Sequence, residues 1–214
     1  MDLRHPLRSV IPSLDWAVIE VLAGSRAAMG ASQIARLADG SRQGQSHVLD
    51  RLVEHGLVIA DPASRGYLYR LNRDHLAANA ILEIIGARSE LLRRLEVRAE
   101  ALTPAPVHAS VFGSFARGEA GPASDIDLLV VARDEHALDQ CEPGLRALEQ
   151  DVERWTGNRC RAMAFTPDRI REFHRVGEPI VANWLDDALL LTGRPLDALF
   201  DLDLARPTAP KVGE

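Results

Sequence analysis

The chain has 214 residues, of which 46% are hydrophobic and 26% are charged, and its formal net charge is −6 at pH 7. This composition is ordinary for a globular protein with room for one large or two small domains. It argues against a membrane protein or a secreted precursor, because no run of about 18 apolar residues occurs and no apolar segment follows the first basic residues. We expect a cytoplasmic protein that does not contact a membrane.

The charge is distributed unevenly along the chain. Residues 1–78 carry nine basic and eight acidic side chains, whereas residues 101–214 carry twelve basic and nineteen acidic ones. The acidic half suits a metal site better than a nucleic-acid groove, and the first half does not repel phosphate groups. The two cysteines, Cys141 and Cys160, lack zinc-site spacing. Two buried, reduced thiols are expected, with a disulfide between them as the alternative.

The first part of the chain predicts a small helical module that ends in a hairpin. Apolar residues recur at helical spacing in residues 14–24, 31–38 and 43–55. Two short apolar strands follow at 57–60 and 67–71, and the polar residues between them have turn chemistry. The predicted order is therefore helix, helix, turn, helix, hairpin.

This order resembles the winged helix-turn-helix domain of bacterial transcription regulators. In that family the third helix enters the major groove of duplex DNA and the wing contacts the backbone or the minor groove. The resemblance implies DNA contacts by the following residues: Arg42, Gln43, Gln45, Ser46 and Arg65. A dimerisation or protein-docking role is the alternative. Because the near-neutral module neutralises few phosphates, DNA binding would require a homodimer.

A long amphipathic helix is predicted to connect this module to the rest of the chain. Residues 74–98 carry an apolar stripe with acidic and arginine side chains elsewhere, and Pro104 and Pro106 prevent the helix from continuing. The domain organisation predicted from these boundaries is a winged helix-turn-helix domain at 1–73, a linker helix at 74–103, a second domain at 104–206 and a flexible tail at 207–214.

The second domain opens with a motif that combines phosphate and metal chemistry. Gly113 and Ser114 follow an apolar run, and ten residues separate them from Asp125 and Asp127, which begin another apolar strand. Residues two apart on a strand share a face, so both carboxylates lie together and favour a cation between them. A glycine without a Cβ lets backbone N–H groups approach an anion. Neither a Gly-x-Ser-x-Gly elbow nor a P-loop is present.

The Gly-Ser turn and the Asp-x-Asp strand resemble the nucleotidyltransferase superfamily of DNA polymerase β, in particular its minimal bacterial members. The resemblance implies an α/β (α+β) fold with a small mixed sheet flanked by helices. It also implies two Mg²⁺ (or Mn²⁺) ions held by the catalytic residues Asp125 and Asp127, and a nucleoside triphosphate as substrate. The nucleotide-binding residues implied in the same way are Gly113, Ser114, Arg117 and Ser124.

Further elements are predicted after the motif, and one of them departs from the family pattern. Helices are expected at 135–155, 168–174 and 179–191, with a strand at 159–165. Active members of the family carry a third acid on the matching strand, whereas this strand carries Arg159 and Arg161. Nucleotide binding is still expected, but turnover is in question.

Two functions are compatible with this sequence. In the first, the protein is an enzyme that transfers a nucleoside monophosphate from Mg²⁺-bound triphosphate to a hydroxyl of a protein or nucleic acid, as antitoxin-type family members do to a toxin-like protein partner. In the second, it is a DNA-binding transcriptional regulator whose second domain senses nucleotide or only dimerises. The sequence names neither the acceptor nor the base.

Overall fold

The computed structural model describes residues 1–38 and 41–200 of the chain. These residues form two compact units, which divide between Glu90 and Leu91. In the described part, no helix has both the length and the apolar character that a membrane span requires. Cys141 and Cys160 are buried free thiols, as predicted.

The first unit is built from short helices and one antiparallel sheet. The sheet has three strands in the order β1-β3-β2. The elements in chain order are a 3-10 turn at Pro6–Ser9, α1 at Asp15–Ala23, β1 at Met29–Gly30, α2 at Ala31–Leu37, α3 at Arg42–Glu54, β2 at Val58–Ala63, β3 at Gly66–Leu71 and α4 at Ala78–Ile85. Three helices followed by a β-hairpin form the winged helix arrangement predicted from the sequence.

A single apolar core holds this unit together. Side chains from α1, α2 and α3 are buried against the first residue of β2 and the last residue of β3, and Ile81 of α4 joins them. Among the most buried are Val18, Ile19, Ile34 and Leu49, each at most 2% exposed. The core therefore fixes the base of the hairpin on the helices and leaves its tip exposed.

The hairpin is longer than predicted, and its turn is shorter. The strands pair from Val58 with Leu71 out to Ala63 with Gly66, so the turn is Ser64-Arg65 and not all of residues 61–66. Pro62 lies on β2, an edge strand, where a residue without an N–H is tolerated. The two-residue strand β1, which pairs with β3, was missed because two residues carry no periodic signal.

The predicted linker helix at 74–103 is wrong as a single element. Two helices occupy this part of the chain, α4 and α5 at Ala87–Glu100, and Gly86 lies between them. Glycine has a low helix propensity, and Gly86 is the C-cap of α4, with its N–H making the last helical bond to the carbonyl of Leu82 at 2.9 Å. The division between the units falls inside α5, so residues 74–103 belong partly to each unit.

The second unit contains a four-stranded mixed sheet flanked by helices. The strand order is β6-β5-β4-β7, and only β5 and β6 run parallel. The elements in chain order after α5 are β4 at His108–Phe112, α6 at Gly113–Ala116, β5 at Ile126–Val131, α7 at Glu135–Thr156, β6 at Cys160–Phe165, α8 at Pro167–Val176, α9 at Pro179–Asp187, β7 at Leu189–Gly193 and α10 at Asp197–Phe200.

Both faces of the central strand β5 are covered. Leu129 and Val131 pack with Ile170, Val181 and Trp184 of α8 and α9. The alternate residues Ile126, Leu128 and Val130 are at most 2% exposed and point to the opposite face. Burial of β5 on both faces fixes the position of its N-terminal end. The acidic pair of the motif lies at this end, with Asp127 in the strand and Asp125 just before it.

The predicted helix at 179–191 is too long. The helix α9 ends at Asp187, and residues 189–193 form β7, which pairs with the free edge of β4. Consecutive leucines fit a helix or a strand equally well in the sequence, and pairing with β4 decides between them. The other predicted helices and the strand β6 are confirmed to within two residues at their ends; the largest difference is in α8, which begins one residue earlier and ends two residues later. The predicted end of the domain at 206 and the tail at 207–214 lie outside the described residues.

Candidate nucleotide site and DNA interface

The turn after β4 brings Gly113 against Asp127. Phe112 pairs with Asp127 across the antiparallel strands, so the next residue lies beside the carboxylate. Gly113 has a φ of +71°, and a Cβ built on it would lie 3.3 Å from Oδ2 of Asp127. Both the backbone conformation and the space therefore favour glycine at this position. Ser114 follows in α6, so the structure places the predicted phosphate-binding turn next to the predicted metal ligand.

Asp125 and Asp127 form the acidic pair predicted from the sequence. Asp127 is the second residue of β5 and Asp125 immediately precedes that strand. Burial raises the pKa of Asp127, and the neighbouring charge of Asp125 raises this pKa further, whereas Arg161 opposes the shift. The charge of Arg161 therefore does not outweigh burial and the second acid, so the ionised form of Asp127 stays disfavoured.

Arg161 lies where the family pattern places a third acid. It pairs with Asp127 in the parallel register of β5 and β6, and its Nη2 donates to Oδ2 of Asp125 at 3.2 Å. The Arg161 side chain is 62% exposed and that of Asp125 is 34% exposed. Ion pairs this exposed contribute about 0–1 kcal/mol, so the contact orients Arg161 without locking it.

Ser124 shapes the loop before Asp125. Its hydroxyl accepts from the N–H of Gly121 at 3.0 Å. The side chain of Asn158, which is 2% exposed, donates to the carbonyls of Gly121 and Ser124, both at 3.0 Å. Asn158 is a site-shaping residue that sequence reasoning missed, because an asparagine after the glycine that ends a helix looks like an ordinary loop residue.

Arg117 pairs with two carboxylates, and the phosphate contact that the resemblance implies for it stays a prediction. Its Nε donates to Glu119 at 2.8 Å, and its Nη1 donates to Asp187 at the end of α9. The bond to Glu119, followed by that to Asp187, raises the pKa of Arg117. Arg117 ties the loop after α6 to α9, because Glu119 lies in that loop and Asp187 lies at the end of α9.

The donor set fits one divalent cation and does not fit the family's three-acid arrangement. Mg²⁺ commonly takes one or two protein carboxylates and completes its shell with water and phosphate oxygens. Asp125 and Asp127 supply this number of ligands on one face. Within residues 1–38 and 41–200, no group of three or more His, Cys, Asp or Glu side chains is placed to hold a metal ion.

The predicted DNA-contacting residues divide into exposed and buried ones. Gln43 and Ser46 are exposed on α3, and Arg65 is exposed at the tip of the hairpin. Arg42 begins α3, but its side chain lies outside the described part. Gln45 is a correction: it is 2% exposed, and its Nε2 donates to the carbonyl of Ala38 at 2.8 Å.

The position of Gln45 follows from helical spacing. Val48 and Leu49, three and four residues further on, are buried in the core of the first unit. Residues at this spacing share a helix face, so Gln45 faces the interior and holds the end of α2. Its environment could have been inferred from the apolar residues that follow it.

A comparison with protein families shows what most of the second unit is similar to. Residues 92–175 match the family model described as "Nucleotidyltransferase domain". The matched segment contains both the Gly-Ser turn and the acidic pair. No curated protein matches the sequence significantly.

One solved structure aligned with the chain is that of TrmBL2, an archaeal chromatin protein with a novel mode of DNA binding. It is 13% identical, with 79% of this chain and 71% of that chain covered, and the TM-score is 0.28. Because this TM-score is low, the likeness bears on neither the fold nor the function of this chain.

We predict that alanine is tolerated less well at Gly113 than at Gly118. Both glycines have a positive φ, +71° and +77°, so each substitution costs about 1–2 kcal/mol of stability. A Cβ at Gly118 meets nothing within 4 Å, whereas one at Gly113 meets Asp127. Urea denaturation should therefore show the larger loss for Gly113→Ala. Equal losses would contradict the close contact with Asp127.

We also predict that Asp127→Asn stabilises the metal-free protein at neutral pH. A carboxyl whose pKa is raised by folding contributes most to stability below its unfolded pKa, and this contribution falls as the pH rises towards the raised value. Asparagine does not ionise and avoids that loss. With a chelator present, the free energy of unfolding of Asp127→Asn should exceed that of the parent at pH 7, and the difference should disappear at about pH 3. A variant less stable than the parent at pH 7 would refute the burial argument.

Proposed function

We propose that the protein is a DNA-binding nucleotidyltransferase-type protein that binds a metal-bound nucleoside triphosphate but transfers its nucleotide slowly. The observation that carries this proposal is the position of Arg161, which pairs in register with Asp127 and contacts Asp125. A guanidinium at this point suits phosphate binding and cannot accept a proton.

The residues of the second unit have separate roles in binding. Asp125 and Asp127 would hold Mg²⁺ or Mn²⁺, which supplies positive charge to the triphosphate oxygens. The backbone at Gly113 and the hydroxyl of Ser114 are suited to donate hydrogen bonds to phosphate. Asn158 and Ser124 keep the loop before Asp125 in place through the bonds described above. The Asp127 carboxyl must lose its proton to bind a cation, and its raised pKa makes this step more demanding.

Slow transfer follows because β6, the strand beside the acidic pair, carries no carboxylate that could act as a general base. Help from a positioned base is typically worth about 10² to 10⁴ in rate. Binding and positioning of the nucleotide are retained, so the expected activity is low and not zero. A protein or nucleic-acid hydroxyl as acceptor, including that of a toxin-like protein in an antitoxin-type role, rests on the family resemblance alone.

The first unit supports DNA binding through its exposed residues. Gln43 and Ser46 lie on one end of α3, and Arg65 occupies the hairpin turn. With nine basic and eight acidic side chains in residues 1–78, one unit neutralises few phosphates. We therefore propose that a homodimer binds a site of two halves.

We predict that binding of Mg²⁺ with a nucleoside triphosphate depends on the acidic pair. Calorimetry should show loss of metal-dependent binding in the Asp125→Asn, Asp127→Asn double variant, because this change removes both carboxylates of the proposed site. The matched control is the double variant Asp139→Asn, Asp186→Asn, which changes two exposed aspartates of the same unit. Unchanged binding in the first double variant would refute the site.

We predict that Arg161→Asp raises the rate of nucleotide transfer. The substitution removes the cation that faces the acidic pair and adds a carboxylate on the same strand. Pyrophosphate release from labelled triphosphate with candidate acceptors measures the effect, and Arg161→Ala is the control that removes the cation without adding a base. A parent protein as fast as family members with three acids, or an inactive Arg161→Asp, would contradict the assignment.

For the first unit, we predict that Arg65→Ala weakens binding to all duplex sequences and reduces the slope of log affinity against log salt by about one. Gln43→Ala should instead change the preference among sequences, because α3 is the proposed groove-reading helix. Gel shifts across genomic fragments measure both effects. The control is Arg175→Ala, an exposed arginine of the other unit. A parent chain that retards no fragment at low salt would make the first unit a docking module.

A further inference from the structure

Besides Arg65 at the hairpin tip, the first unit carries a cluster of arginines around a cavity. A cavity of about 250 Å³ is present where the loop after α1 meets the chain that leaves β3. We call it the arginine pocket. The polar residues that line it are Ser25, Arg26, Arg70, Asn72, Arg73 and Asp74.

The three arginines of the pocket differ in how they are held. Arg73 donates from Nη2 to the carbonyl of Ala23 at 2.9 Å, and Arg70 donates from Nε to Asp61 at 3.1 Å. Each guanidinium has five N–H donors, so both keep donors for another acceptor. Arg26 is exposed and makes no hydrogen bond or ion pair with any residue that the structure describes.

The charge in and around the pocket is positive on balance. Against three guanidinium groups stand two carboxylates, Asp61 on Arg70 and Asp74 on the pocket wall. Arg26 and Arg73 therefore lack carboxylate partners in the described residues. Charged donors from two separate loops that converge on one cavity form a receptor for an anion with several acceptor oxygens.

We propose that the arginine pocket binds a phosphate group. Its volume is below the range of about 300–1,000 Å³ that is usual for whole small-molecule ligands, so the pocket accommodates a phosphate better than a complete nucleotide. The group comes either from the backbone of a bound duplex or from a free phosphate compound. The first source rests on the DNA binding proposed above, and the second does not.

The pocket is separate from the hairpin turn. Arg65 lies before Gly66 at the start of β3, and Arg70 and Arg73 lie at and beyond the other end of that strand. Five residue steps along a strand span roughly 16 Å. A duplex that contacts both places would be held at two points along its backbone.

The experiment uses the full chain and two probes. A fluorescent duplex is titrated at stepped salt concentrations, and inorganic pyrophosphate is titrated by calorimetry with a chelator that disables the metal-dependent site of the other unit. The variants are Arg26→Ala and Arg73→Ala, with Arg26→Lys as the charge-preserving substitution and Arg175→Ala as the control. Because Arg26 is exposed and makes no hydrogen bond or ion pair with a described residue, Arg26→Ala tests the pocket with little effect on folding.

The two arms identify the source of the phosphate. If the duplex supplies it, both alanine variants weaken binding to all sequences severalfold, reduce the salt slope by about one each, and Arg26→Lys retains most of the affinity. If a free compound supplies it, the alanine variants lose pyrophosphate binding while duplex binding is unchanged. A parent chain that binds no duplex refutes the DNA-binding function, and the pyrophosphate arm then decides on the pocket. Alanine variants that match Arg175→Ala in both arms overturn the proposal.

Discussion

The parallel pairing of β5 with β6 determines the chemistry of the second unit. This register sets Arg161 beside Asp127 and within hydrogen-bond distance of Asp125, so a cation of the protein faces the two acids. A carboxylate at the same point would add a metal ligand and a base. A guanidinium suits anions instead. In the proposed function, this one side chain separates nucleotide binding from efficient transfer.

The surrounding structure holds this pair in place. The strand β5 is buried on both faces, Gly113 allows the preceding turn to approach Asp127, and Asn158 fixes the loop before Asp125. The raised pKa of Asp127 is the electrostatic consequence, because burial and a neighbouring acid together disfavour its charge. Functional sites commonly retain such unfavourable charges at the expense of stability. A bound cation would offset the unfavourable charge of Asp127.

The sequence predicted the elements with strong periodicity and the residues of the motif better than their surroundings. Helix α7, strand β6 and the winged helix order were recognised from apolar spacing, and the acidic pair from its position on a strand. Long-range pairing was not recoverable: β7 forms because β4 has a free edge, and β1 is too short to leave a pattern. The remaining differences between prediction and structure concern the partners of single side chains. Gln45 is buried by its own helix face, and Arg117 is held by Asp187, which is 70 residues away in the sequence.

The central claim is that the acidic pair holds a single divalent cation with a bound triphosphate. Equilibrium dialysis of the protein against Mn²⁺ and a saturating non-hydrolysable triphosphate counts the Mn²⁺ ions and the nucleotides retained per chain, including the ion that the bound nucleotide brings with it. The account predicts one retained ion per chain, lost in the Asp125→Asn, Asp127→Asn variant. Two retained ions per chain would contradict it, because a second ion requires a further carboxylate in the site.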